Sequence, residues 1–197
     1  MLGHVVLLEQ LIARNAIRSA AVLVGSEAAR GVPKLRMPRP TFAEHSVDEF
    51  CNVIDGSYFD GRKVDGSLAY GQVKYLGALW IADLARRHPD LRLVTVSPGN
   101  TAGTDVFRNM PAPVRTLLNK VLMPIVFPRL GLSHPVDTGA RRLVDAVVGD
   151  RPDSGAIYAS AAHTLTGPVV DQVGIVADFA APGIQANAAE AIRRYAA

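Results

Sequence analysis

The sequence predicts an α/β fold built on a parallel sheet, and three observations carry that prediction. Two short runs, "AAVLVGS" at 20–26 and "LRLVTVSPG" at 91–99, are rich in valine and leucine and end in Gly, Ser or Pro. Both suit strands buried on two faces. Between them, residues 67–87 place Val73, Leu76, Trp80 and Leu84 at helical spacing before the stop signal "RRHPD". Strand, long helix and second strand in that order form a parallel crossover unit.

The remaining elements extend this unit. Residues 2–15 set Val5, Leu8, Leu11 and Ile12 on one helical face. From Glu27 to Gly66 the chain is rich in Gly, Pro, Asp and Ser without a sustained period, so a long excursion is expected, with short helical pieces near 46–54. Residues 105–132 combine prolines with apolar and basic side chains, as in a surface lid of short helices. A helix is expected at 134–149, with Ser133 a candidate N-cap and Pro135 in its first turn. A third strand at 154–160 and a closing helix at 182–195 complete the reading.

A chain of 197 residues, 49% hydrophobic and 20% charged, fits one globular domain over residues 1–197. Its net charge of +3 comes from basic residues that nowhere form a run of five, which argues against nucleic acid as a partner. The single cysteine, Cys51, excludes an intrachain disulfide and suits a reducing compartment, so the cytosol is expected. The apolar N-terminus lacks a basic leader, and "VLMPIVFP" at 121–128 is too short to span a bilayer. The five histidines show no ligand spacing, so no metal is implied.

The candidate chemistry starts at "SLAYGQVKYLG", residues 67–77, where Tyr70 and Lys74 stand four apart. Such a pair is an ordinary helix-surface feature. It is also a phenol beside an ammonium that favours phenolate, which brings a group of reference pKa about 10 towards neutral acid-base work. Gly77 continues that face without a side chain, leaving room for a close approach. Ser26 closes the first strand, where open α/β sheets place their ligand crevices; it reads either as a turn serine or as a hydroxyl donor to a substrate oxygen. "SPGNTAGT" closes the second strand and offers backbone donors, hydroxyls and an amide to a phosphate or carboxamide.

In order along the chain, "LGH", "VGS", "YGQVK" and "SPG" resemble the short-chain dehydrogenase/reductase family over nearly the whole sequence. The long interval from Ser26 to Tyr70, with "FDGRKVDGSLAYGQVK" and the proline-rich lid, looks most like the branch of retinol dehydrogenases and protochlorophyllide reductases. That branch's "PGC" is "PGN" here, with Asn100 in place of the cysteine.

The resemblance implies part of a Rossmann-like, doubly wound parallel sheet and an oxidoreductase that moves hydride between NAD(P)(H) and an apolar alcohol or carbonyl compound. The branch favours NADP over NAD. Tyr70 would be the general acid/base, Lys74 the group that lowers its pKa, and Ser26 the donor to the substrate oxygen. Tyr70, Lys74, Pro98, Gly99, Asn100, Thr101 and Thr104 would line the cofactor. Helices 2–15 and 67–87 would pair across a homodimer. No strand, glycine-rich turn and helix for a pyrophosphate occurs in the 197 residues, so the chain is expected to be the C-terminal half or more of such an enzyme. The alternative is a non-catalytic fragment that serves as a binding or dimerisation module.

Overall fold

In the computed structural model, described over residues 1–102, 111–149 and 153–196, the strands β1 (Ala20–Val24), β2 (Arg92–Val96), β3 (Ile157–Ser160) and β4 (Val169–Asp171) form one sheet in that order. β1 pairs with β2 and β2 with β3 in parallel, whereas β4 returns antiparallel to β3. The fold is therefore α/β with a mostly parallel open sheet. β4 was not expected: "VVD" is too short to show a period.

The crossover between β1 and β2 contains α2 (Val47–Asp55) and α3 (Gly66–Arg87). Ser46 starts α2 by accepting from the Glu49 amide, while the Glu49 carboxylate accepts the amides of Ala43, Glu44 and His45, an extended capping box. Asp65 starts α3 by accepting from Ser67 N and Leu68 N. From Tyr75 to Ala85 every residue of α3 is buried, because the sheet covers one side and α7 (Pro182–Ala196) the other. Trp80, Leu79, Leu76 and Leu84 meet Leu93, Ile157, Ala188 and Ile192 there. Each such side chain contributes about 1.5–3 kcal/mol on burial. Val73, expected on the apolar face, is instead 37% exposed.

On its other face the sheet carries a smaller cluster, Val94, Val96 and Ala146, covered by α6 (Val136–Val148). α1 (Leu2–Ala13) lies against α7. Glu9 receives Trp80 Nε1 at 3.1 Å and pairs with Arg193 and Arg87, and Asp83 pairs with Arg86, Arg87 and Arg193, so charge ties α1, α3 and α7 together.

Two expectations are corrected. β1 is not buried on both faces: it is an edge strand, partly buried along its length, with Val24 45% exposed. Ser133 does not cap α6, whose N-cap residue is Pro135; its hydroxyl donates to Met123 O. The described part of the lid is helical, with α4 (Ala112–Leu117), a wide π-type turn at Leu118–Val126 around Pro124, and α5 (Phe127–Arg129). No helix among the described residues is long and apolar enough to cross a membrane.

Candidate active site

The parallel strands run side by side, so their carboxyl ends open at one edge of the sheet, and the candidate residues gather there. Ser26 follows β1 by two residues and starts a 3-10 turn, Glu27–Arg30, by accepting from Ala28 N at 3.2 Å. That turn lies directly on α3. A Cβ on Gly71 would stand 2.7 Å from Ala28 O, so the glycine beside Tyr70 is what lets turn and helix approach. Gly77 serves the sheet in the same way: what approaches it is Leu23 of β1, whose Cδ2 would lie 3.2 Å from an added Cβ.

Ser26 and Lys74 line one narrow cleft, together with Arg30, Thr95 and Gln172. Lys74 Nζ donates to Val24 O at 2.8 Å and lies 5.7 Å from the centre of the Tyr70 ring. Burial holds the Lys74 ammonium below its ordinary pKa. Tyr70 does not line the cleft; it stands at its rim, 47% exposed. The structure thus brings Lys74 to both Ser26 and Tyr70.

The loop after β2 is tied to itself and to segments far along the chain. Gly99 N donates to Ser97 Oγ, Asn100 N to Leu165 O, Ala102 N to His134 O, Asn100 Nδ2 to Leu132 O, and Thr101 Oγ1 to Gly99 O. Gly99 is left-handed (φ 78°), and a Cβ there would strike His134 Nε2 at 2.5 Å and Arg142 Nη1 at 2.6 Å. Pro98, Gly99, Asn100 and Thr101 are partly exposed at the sheet edge. Among the described residues, the amides of Gly99, Asn100 and Ala102, the Thr101 hydroxyl and the Asn100 side-chain donor are thus engaged. Thr104 lies outside the described residues.

Beneath this edge is a polar centre that sequence reasoning missed. The buried Glu27 carboxylate accepts Ser97 Oγ at 2.6 Å and Ser160 N at 3.1 Å, and lies 3.9 Å from Arg142 Nη1. Arg142 donates to Ser160 Oγ and Gly167 O. Arg30 Nη2 donates to Ser160 O, Ala161 O and Thr164 O. Burial lowers the pKa of both guanidiniums, and Glu27 partly offsets it. One carboxylate therefore fastens the ends of β1, β2 and β3. A glutamate directly after the strand-ending serine was the sole signal for it.

No family model matches the chain. No curated protein matches it either. Among solved structures it is similar to the crystal structure of an uncharacterized protein from Mycobacterium paratuberculosis, at 19% identity and a TM-score of 0.54, over 90% of this chain and 50% of that one. At that identity the likeness concerns the fold alone, and the chain spans about half the length of that structure.

Among the described residues, no group of three or more His, Cys, Asp or Glu side chains stands close enough to hold a metal ion. Ser26 and Lys74 thus share one cleft, and the ring centre of the exposed Tyr70 lies 5.7 Å from the Lys74 ammonium.

Proposed function

We propose that this chain carries the proton-transfer half of an NAD(P)-dependent oxidoreductase of the short-chain dehydrogenase/reductase type, on a Rossmann-like sheet. The observation that supports it best is Lys74, which shares a cleft with Ser26 and faces the Tyr70 ring. Reduction of a carbonyl leaves negative charge on oxygen, which needs a hydrogen-bond donor and then a proton. Ser26 would donate to that oxygen and Tyr70 would deliver the proton. Lys74, oriented by Val24 O, would favour the phenolate that remains. Hydride itself is what NAD(P)H supplies when bound.

The apolar side chains that α4 and the π-type turn leave exposed, Val114, Leu117 and Ile125, favour an apolar alcohol or carbonyl compound as substrate. A second reading, a non-catalytic binding or dimerisation module, is favoured by the engaged amides of Gly99, Asn100 and Ala102 and by Val6 and Leu7, exposed on α1. Titration of NADPH and NADH against the chain, followed by nucleotide fluorescence, separates the two. Saturable binding supports the oxidoreductase. Its absence leaves the module as the function of this form.

A further inference from the structure

Arg30 stands between two cavities. One is the cleft with Ser26 and Lys74; the other, open to solvent, has Arg30, Lys34, His163 and Thr164 around it and Val32 and Leu165 among its apolar lining. We propose that this second cavity binds a small amphipathic anion, a carboxylate or phosphate monoester on a short apolar stem, with Lys34 and His163 at the head and Val32 and Leu165 along the stem.

Charge is the first support. The ten residues from Arg30 to Arg39 hold Arg30, Lys34, Arg36 and Arg39 and no acid, which exceeds the +3 of the whole chain. No acidic side chain lines the cavity. Glu27 pairs with Arg142 and acts on Arg30 at longer range, so two partly buried guanidiniums share one carboxylate and the surplus is positive. A surplus of buried charge favours a counter-ion at the nearest opening.

Rigidity is the second. Arg30 Nη2, bonded to Ser160 O, Ala161 O and Thr164 O, fixes the turn before Val32 to the loop that carries His163. The two walls are thereby set before any ligand arrives, which lowers the ordering cost of binding. His163 is held in the left-handed region (φ 62°), an unusual backbone state for a residue with a side chain. Arg30, with Nη2 spent on carbonyls, supplies charge and framework, and the exposed Lys34 and His163 supply the contacts.

The lining is the third. Val32 and Leu165 are buried, so the cavity offers apolar surface beneath a cationic rim. That combination distinguishes an amphipathic anion from a bare ion.

The test is calorimetric titration of octanoate, octyl phosphate and octanol into the full chain at low salt, repeated for Lys34→Ala/His163→Ala, Lys63→Ala and Tyr70→Phe. At least one of the two anions is expected to bind saturably with one site, octanol at least about tenfold more weakly, and the double variant to lose about tenfold or more. The tighter anion identifies the head group. Lys63→Ala, an exposed lysine elsewhere, and Tyr70→Phe are expected to bind as wild type, which keeps this result independent of the oxidoreductase reading. Octanol binding that equals the anions' and weakens with theirs in the double variant, an unchanged double variant, a loss in Lys63→Ala as large as in the double variant, or no saturable binding of either anion overturns the proposal.

Discussion

The Ser97 hydroxyl donates to the Glu27 carboxylate at 2.6 Å, joining the turn after β1 to the end of β2 in a fully desolvated contact. Because Glu27 also holds Ser160 N and faces Arg142, its removal leaves that amide without its acceptor and Arg142 without its counter-charge. Glu27→Ala is expected to cost about 3–5 kcal/mol, the scale for breaking a buried pair, and Glu27→Gln less, since an amide still accepts from Ser97 or Ser160. Urea denaturation followed by circular dichroism measures both. A Glu27→Ala variant of wild-type stability would show that the centre is not the clamp described here.

Gly71→Ala opposes two effects of different size. In a helix the exchange stabilises by about 1 kcal/mol through propensity. Here the new methyl would sit 2.7 Å from Ala28 O, a backbone atom, and would push the Ser26 turn off α3. A net loss of about 1–3 kcal/mol is expected from overpacking. A rise in Tm would mean that the turn gives way freely.

Acid exposes the role of Glu49. Burial by itself would raise its pKa, but the amides of Ala43, Glu44 and His45 together hold it below the ordinary value. A carboxylate depressed in the folded state stabilises above its unfolded pKa, about 4.3, and loses that contribution as pH falls through the folded value. Wild type is therefore expected to lose more stability than Glu49→Gln between about pH 5 and pH 3. Parallel acid titrations of the two proteins would refute this if their curves stayed equally spaced.

In any form of the protein that turns over a carbonyl substrate, Tyr70→Phe is expected to lower kcat by about 100-fold or more, with a smaller change in KM. Lys74→Met is expected to act on the same step. It also removes an ammonium whose burial is unfavourable below its folded pKa, so the variant keeps or gains stability near neutral pH while losing turnover. Steady-state kinetics beside thermal melts resolve the pair. Retained turnover in Tyr70→Phe assigns the proton to another group.

The parts of this architecture that show in the sequence are those that repeat locally. The continuous apolar run in "RLVTV" and the apolar face of residues 67–87 place β2 and α3 within three residues of their expected ends. Their positions bring Ser26 and Lys74 into one cleft. What does not show depends on distant partners. The edge position of β1 follows from which strands are present beside it, and "AAVLV" reads the same in the centre of a sheet. Glu27 reaches Ser97 and Ser160 across 70 and 133 residues, a pairing that no local pattern encodes. The amides after Pro98 look available in sequence because their acceptors, Leu165 and His134, arrive from elements far along the chain.

β1 offers a last consequence. Ser19 O and Gly25 N turn towards β2, so strand alternation directs the backbone groups of Ala20, Val22 and Val24 to the open side, where Val24 O is taken by Lys74. An added strand can zip along Ala20 and Val22 but meets an ammonium, not a free carbonyl, at Val24. Lys74 thereby acts as a doorstop: it marks how far any neighbouring strand can slide and keeps the ground beside Ser26 clear of polypeptide.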